Sequence, residues 1–242
     1  MDKIFKALRL AFGALLNTKM LGLLLIPPVV AMGGLFILFF IFWQAWTTNL
    51  GLYFGGLWIF QWAQSFPDLG YWLAVVFLLL LFVPLSYLLS VLLTSLFVMP
   101  LVLLSLGRTT YADLEKKRGG TVAGSVWNAL KTTALFLVYF VLTLPLWLIP
   151  GGQILVPIFL AAWLNKRVFL YDVLQDYASR EERLQIEQTR SPQLYGLGMF
   201  LGLLAYVPLA FFLVPVVSAL SYSYFGLEEL RAIRRQSPKG VL

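Results

Sequence analysis

The sequence contains no cysteine and no histidine among its 242 residues. Disulfide bonds and thiolate catalysis are therefore excluded, and the commonest metal ligand and proton-transfer side chain is absent. Charge is scarce as well, because only 12% of residues are Asp, Glu, Lys or Arg while 60% are hydrophobic. A soluble globular domain has about a quarter charged residues, so this composition predicts an integral membrane protein. We expect no cofactor and no metal site.

The charged residues are clustered, and the uncharged stretches between the clusters predict the membrane segments. Residues 20–67 and 69–107 carry no charge, so each stretch can hold a full span of about 20 apolar residues. We predict two long spans, near 20–46 and 70–106. The stretch between them, 47–69, lacks Lys and Arg and is bordered by tryptophans, which is typical of an external loop.

All 18 Lys and Arg residues lie in four basic segments, at residues 1–19, 108–131, 166–190 and 228–242. The positive-inside rule assigns such segments, and with them both termini, to the cytoplasmic side. The N-terminal segment lacks a cleavage site after a short apolar core and is predicted to be a retained lead-in helix. The net charge of +7 then reflects orientation and contact with anionic headgroups, and nucleic-acid binding is not expected.

Two further apolar stretches, 132–165 and 191–227, are each flanked by basic segments on the same predicted side. Each is too short for two full spans and a turn, which need roughly 40 residues. We therefore predict two partly penetrating, re-entrant helical hairpins. The alternative makes each stretch one long span, which would put the basic residues of 166–190 outside. Helix-breaking residues mark the hairpin turns: Pro145, Pro150, Gly151, Gly152, Pro157, Pro208 and Pro215.

The two internal basic segments, 108–131 and 166–190, carry acidic and basic residues at spacings typical of solvated helices. Charged side chains are absent from the apolar stretches, so serines such as Ser95 have no base to activate them. An enzyme is therefore not predicted. The spacings Gly51-xxx-Gly55 and Gly198-xxx-Gly202 predict close helix packing.

Broken helices at membrane depth suggest a way to move an ion without charged side chains. Non-helical backbone there is stable only where protein buries it or water solvates it, and helix ends present partial charges to ions. These features predict a channel or permease. The alternative is that both hairpins simply plug the cytoplasmic side.

The order of several motifs resembles that of the CysZ-type sulfate permeases, the EI24-domain membrane proteins of bacteria. The resemblance covers nearly the whole chain and rests on LLIPPV (24–29), FVMPLVLLSL (97–106), IPGGQILVPIFLAAW (149–163), FLYD (169–172) and YVPLAFFLVPVVSALS (206–221). It implies one membrane domain over 1–242, with two long transmembrane helices, two re-entrant hairpins and cytoplasmic termini. It also implies a homo-oligomer in the bacterial inner membrane that takes up sulfate, proton-linked or channel-like, for cysteine synthesis.

The same resemblance implies an anion site just before the first span, formed by Asn17, Thr18, Lys19, Met20, Leu21 and Gly22. Sulfate-transporting members have a Gly-apolar-Arg motif there, whereas Leu21 and Gly22 fall where arginines would be. Lys19 is the nearest cation, and the N–H groups of Met20 and Leu21 follow it at a helix start, where anions bind. Lys19 is alternatively an anchor that sets orientation.

The leading hypothesis is an inner-membrane permease or channel for a small inorganic anion such as sulfate. The main alternative is a non-transporting membrane scaffold that binds a partner through its basic cytoplasmic helices. A third possibility is a lipid-interacting or lipid-modifying protein, against which the lack of catalytic groups argues.

Overall fold

The computed structural model describes residues 2–15, 18–58, 66, 68–207 and 210–236. Within these residues all regular structure is helical and no strand occurs, which confirms the all-α prediction. The α-helices of this part of the chain are α1 (Asp2–Leu15), α2 (Thr18–Gly55), α3 (Leu69–Leu93), α4 (Met99–Arg108), α5 (Val122–Thr143), α6 (Gly152–Tyr177), α7 (Arg180–Thr189), α8 (Ser191–Leu204) and α9 (Ala210–Gln236).

Within the described ranges, two short irregular helices connect these elements. A π-helical turn, Thr94–Val98, joins α3 to α4, and a 3₁₀ helix, Leu144–Leu148, follows α5. Pro100 is the second residue of α4 and cannot donate to the helical ladder, so the hydrogen-bond pattern changes near this point.

Four helical stretches of the described residues are long and apolar enough to cross a membrane. They are Leu25–Gly55, Leu69–Arg108, Val122–Leu148 and Gly152–Tyr177. Many of their large apolar side chains are exposed in the single chain, including Phe40 and Leu148, which are 78% and 87% exposed. Contiguous apolar surface of this kind is rare on soluble proteins and suits contact with lipid.

The helix α2 extends further than the sequence predicted. It continues to Gly55, into the stretch that was predicted to be an external loop. Polar residues fit in this last part because their side chains bond to carbonyls one turn earlier. The Thr47 hydroxyl donates to the Trp43 carbonyl at 2.8 Å, and the Asn49 amide donates to the Ala45 carbonyl at the same distance.

The chain divides into two compact units, Pro28–Ser90 and Met1–Pro27 with Val91–Leu242. In the first unit α2 and α3 pack closely at glycines: a Cβ at Gly70 would lie 2.2 Å from the Gly51 carbonyl oxygen. The predicted close approach at Gly51 is therefore confirmed. Aromatic side chains, such as Phe39 against Phe82, fill the rest of this helix pair.

The second unit is built around α6, which packs against α5, α8 and α9. Its core includes Phe169 and Val173 of α6, both fully buried. The helix α8 approaches α6 through the other predicted small-residue pair. A Cβ at Gly198 would lie 2.7 Å from the Ala162 Cα, and a Cβ at Gly202 would lie 3.2 Å from Ile158.

The two internal basic segments were both predicted to be helical, but the structure shows helix through most of only one of them. The segment 166–190 is helical, as predicted, except at Ala178, Ser179 and its last residue, Arg190. The segment 108–131 is helical only up to Arg108 and again from Val122, so the helix predicted between them was wrong.

The backbone N–H groups of the non-helical segment bond to the end of α6 instead of forming a helix of their own. They donate as follows: Lys117 to Tyr177, Arg118 to Asp176, Gly119 to Ala178 and Gly120 to Gln175, at 3.0–3.3 Å. The last carbonyls of a helix receive no hydrogen bond from within the helix. The N–H groups of this segment supply the missing donors.

Candidate functional site

The predicted anion site falls at the N-terminus of α2. The structure places Thr18, Lys19, Met20 and Leu21 in the first turn of this helix, and Asn17 lies outside the described residues. The first four N–H groups of a helix have no intrahelical acceptor and carry the positive end of its dipole. Gly22 is exposed, and a Cβ there would meet no atom within 4 Å, so packing does not close this side of the helix.

The predicted turn at Pro150-Gly151-Gly152 reverses the chain between α5 and α6. Gly151 has φ of 85°, a left-handed conformation that favours glycine. Gly152 is also required by space, because a Cβ there would lie 1.9 Å from the Leu146 carbonyl oxygen. Pro145 lies in the preceding 3₁₀ helix, where the regular α-helical pattern ends. These residues therefore form a helical hairpin, which we call the α5–α6 hairpin.

Pro157 lies inside α6 and does not end the helix, so its predicted place in the hairpin turn was wrong. Because proline has no N–H, the Gln153 carbonyl one turn earlier loses its helical donor. The Tyr206 hydroxyl supplies a replacement, donating to this carbonyl at 3.1 Å. Tyr206 follows α8, so this bond joins the tip of the α5–α6 hairpin to the tip of the second helical pair, α8 and α9.

The second helical pair reverses between Leu204 and Ala210. Pro208 lies outside the described residues. Pro215 lies within α9 rather than at the turn, so its predicted place in the turn itself was wrong. In the described part of this turn, short-range bonds follow α8, such as that from the Tyr206 N–H to the Leu203 carbonyl.

The sequence predicted no partner for the serines of the apolar stretches, but the structure places a buried carboxylate beside one of them. Asp172 of α6 is 1% exposed and accepts hydrogen bonds from the hydroxyls of Ser95 and Ser125. Ser95 belongs to the π-helical turn and Ser125 to the first turn of α5. The interpretation of Ser95 as a side chain without an acidic partner was therefore wrong. Asp172 joins three elements at one point, and its place in the FLYD motif was the signal for it.

A second buried carboxylate, Glu182 of α7, organises the charged residues around the α6 C-terminus. It is 3% exposed and accepts from Arg234 Nε at 2.9 Å and from Lys117 Nζ at 3.1 Å. It also completes a capping box with Ser179 at the start of α7. Burial alone would raise the pKa of Glu182, but the hydrogen bonds from Arg234, the Ser179 N–H and Lys117 outweigh it and lower the pKa to about 2.

Glu229 of α9 forms a comparable centre at 1% exposure. It accepts from Lys3 of α1 at 2.6 Å and from Arg190, between α7 and α8, at 2.8 Å. Buried carboxylates thus hold the amphipathic helix α1 and the short helix α7 against α9. We refer to Glu182, Glu229 and their cationic partners as the charged cluster. Among the described residues no group of His, Cys, Asp and Glu is arranged to hold a metal ion.

Comparison with known proteins identifies the family. A family model described as sulfate transporter CysZ/Etoposide-induced protein 2.4 (EI24) matches residues 7–215. No curated protein matches the sequence, and no solved structure does. The matched range contains the first turn of α2, the whole α5–α6 hairpin and Asp172. Together with the four apolar helices, this match shows that the chain is a membrane protein belonging to the EI24 family of sulfate transporter CysZ and etoposide-induced protein 2.4.

Proposed function

We propose that this protein is a permease or channel for a small inorganic anion, and that it takes up sulfate across the bacterial inner membrane for assimilation into cysteine. The observation that carries the proposal is the extent of the family match. It covers residues 7–215, and so includes both the candidate anion site and the α5–α6 hairpin. The functional unit in this proposal is a homo-oligomer.

The proposed topology has two long transmembrane helices, two re-entrant hairpins and cytoplasmic termini. Both helices of the α5–α6 hairpin are long and apolar enough to cross, so the support for partial penetration comes from α8 and from the uncharged part of α6. At 1.5 Å per residue, the 14 residues of α8 reach about 21 Å, less than the roughly 30 Å of the hydrocarbon core. In α6 the distance from Gly152 to the first charged residue, Lys166, is also about 21 Å. The bond between Tyr206 and Gln153 fits two tips at one depth.

In this mechanism the start of α2 captures the anion. Its free N–H groups and the positive end of the helix dipole stabilise a dianion, and Lys19 adds a full charge. No arginine is present in residues 17–22, so the two-pronged contact that arginine makes with an oxyanion is absent here. The open side of α2 at Gly22 leaves room for the anion to approach the backbone.

Uptake of radiolabelled sulfate into proteoliposomes tests the proposal. We expect uptake above that of empty liposomes, and we expect Lys19→Ala to weaken sulfate affinity about tenfold, which equals about 1.4 kcal/mol. Arg9→Ala is the matched control, because it removes one exposed positive charge from the neighbouring helix α1. Correctly inserted protein that gives no more uptake than empty liposomes would refute transport. Equal affinity of Lys19→Ala and Arg9→Ala would refute the entry site alone.

The alternative of a non-transporting scaffold has less support from the charges. Such a protein would use its basic helices to bind a partner, yet several of their cations already pair within the chain. Arg190, Arg231 and Arg234 each form an ion pair with a carboxylate of the same chain.

A further inference from the structure

A small cleft with an excess of positive charge opens between α5, α6 and α7. Its volume is about 60 Å³, and we call it the basic cleft. Three cations line it, Lys166, Arg167 and Arg183, together with Asn128 and Tyr171. It shares no residue with the candidate site at the start of α2.

The cations of the basic cleft outnumber its carboxylates. Glu187 is the one carboxylate among the described lining residues, and it pairs with Arg167 at 3.4 Å. Within the described part of the chain, Lys166 and Arg183 have no carboxylate at ion-pair distance. This differs from the charged cluster, where buried carboxylates neutralise the arginines.

Lys166 is unusually buried for an unpaired cation, since only 6% of the residue is exposed. Its Nζ donates to the Ser191 hydroxyl at 2.7 Å and lies 4.4 Å from the centre of the Tyr195 ring. Both contacts stabilise an ammonium group, but neither supplies a negative charge. The carboxylate of Glu187 acts on Lys166 electrostatically, but it forms its ion pair with Arg167, so the buried ammonium group favours a further anion close by.

Arg183 is held at the cleft with donors to spare. Its guanidinium carbon lies 4.5 Å from the centre of the Tyr171 ring, which fixes the plane of the group. Its Nη1 is buried and has no hydrogen-bond partner. Because Nη1 is buried toward Gly120, an anion in the cleft would meet the other N–H groups of the guanidinium, whose planar geometry matches the oxygen atoms of an oxyanion. Tyr171 itself is held close to Gly124, where a Cβ would lie 2.6 Å from the tyrosine oxygen.

We propose that the basic cleft is a binding site for a tetrahedral oxyanion, either free sulfate or phosphate or the phosphate of a lipid headgroup. Its volume exceeds the roughly 10–15 Å³ that a cavity needs to hold one water and suits a single small anionic group rather than an organic substrate. Arg183 and Lys166 bind the anion, and Asn128 contributes an amide at the rim. Asn128 already donates to the Arg167 carbonyl at 2.8 Å, which orients its side chain and leaves its second N–H free.

The test measures binding to the purified full chain in an uncharged detergent, by calorimetric titration with sodium sulfate and sodium phosphate against chloride at equal ionic strength. We expect saturable binding that Arg183→Gln weakens at least tenfold. Arg180→Gln is the matched control: it is on the same helix, is exposed, changes the charge equally and does not line the cleft. We expect it to change affinity less than twofold.

A second arm separates the two sources of the anion. The protein is reconstituted in phosphatidylcholine nanodiscs with and without phosphatidylglycerol, and its thermal unfolding is recorded for each variant. Stabilisation by phosphatidylglycerol that Arg183→Gln abolishes, without binding of inorganic anions, identifies a headgroup site. Binding of inorganic anions in detergent identifies a free-ligand site. Absence of both, or equal effects of Arg183→Gln and Arg180→Gln, would overturn the proposal.

Lys166→Gln provides an independent variant, with gel filtration used to show that it is folded. We expect it to weaken the same binding about tenfold. The result is separate from the transport proposal, because Lys19→Ala should leave binding at the basic cleft intact. A protein that binds at the cleft but takes up no sulfate would refute transport only.

Discussion

Replacing Glu182 by glutamine tests whether the charged cluster holds the helices of the second unit together. The Glu182 carboxylate accepts four hydrogen bonds: two from Arg234, one from Lys117 and one from the Ser179 N–H. Glutamine has nearly the same shape but no charge, and its amide nitrogen would face these donors. Loss of a buried ion-pair partner costs about 3–5 kcal/mol. Because Arg234 and Lys117 remain 19% and 34% exposed, water compensates part of this loss, so we expect about 3 kcal/mol.

The assay is thermal unfolding of the purified protein in detergent at pH 7. A loss of about 3 kcal/mol lowers Tm by about 6 °C or more in a chain of this size. Glu181→Gln is the matched control, since it neutralises an exposed carboxylate in the same turn of α7. We expect a much smaller shift for it. A Tm for Glu182→Gln within 1 °C of that of Glu181→Gln would refute the reasoning.

The effect of Glu182→Gln on stability also depends on pH, in a direction that follows from the pKa of Glu182. The pKa of Glu182 in the folded protein, about 2, lies below the usual glutamate value of 4.5, so folding favours the ionised form. The carboxylate therefore contributes stability fully above pH 4.5, and that contribution is lost as the pH falls toward 2. We expect the Tm difference between wild type and Glu182→Gln to shrink over this interval. A difference that stays constant from pH 7 to pH 3 would contradict it.

Three further predictions concern packing, topology and the buried acid. Gly198→Ala should lower the free energy of unfolding by about 1–3 kcal/mol, because the new Cβ meets the backbone of a neighbouring helix. Gly196→Ala is the control, since its Cβ meets only the end of a flexible side chain. Equal Tm values for the two variants would contradict the packing. Single cysteines in place of the exposed residues Lys116 and Arg180 should react with an impermeant maleimide only from the cytoplasmic side of membrane vesicles, and outside labelling of either would refute the proposed topology. Asp172→Ala should lower the free energy of unfolding by about 2 kcal/mol, because it leaves two buried hydroxyls without an acceptor, and Asp172→Asn should lower it less. An unchanged Tm in both variants would show that Asp172 does not stabilise the contact between these elements.

The sequence predicted those parts of the fold that depend on local pattern. Uncharged length located the apolar helices, and Pro150 with two glycines located the turn of the α5–α6 hairpin. Gly198 and Gly202 also marked the close approach of α8 to α6. Each of these features follows from residues near in the chain, because helix length, turn conformation and small-residue spacing are local properties.

The features that the sequence did not reveal depend on distant partners. The segment that includes Lys117 and Gly120 is not helical, since its N–H groups bond to the end of α6. Asp172 was counted with the solvated charges because it follows Lys166 and Arg167, and its two serine partners are 47 and 77 residues away. The start of α2 could be placed from sequence, but the arrangement of Arg183 on Tyr171 could not, because it requires α7 to fold back on α6.

In the proposed permease, the hydroxyl of Tyr206 would resist any motion that separates the tips of the two helical pairs. Among the described residues, this hydroxyl donates to the Gln153 carbonyl at 3.1 Å and to the Ile154 carbonyl at 3.3 Å, so withdrawing either tip alone would break both contacts. A hydrogen bond of this kind contributes about 1 kcal/mol, which raises the population with joined tips roughly fivefold relative to the population with separated tips. That is strong enough to keep the two tips together most of the time and weak enough for thermal motion to separate them. In the proposed permease the Tyr206 hydroxyl would hold the two tips together through a carbonyl that Pro157 leaves free.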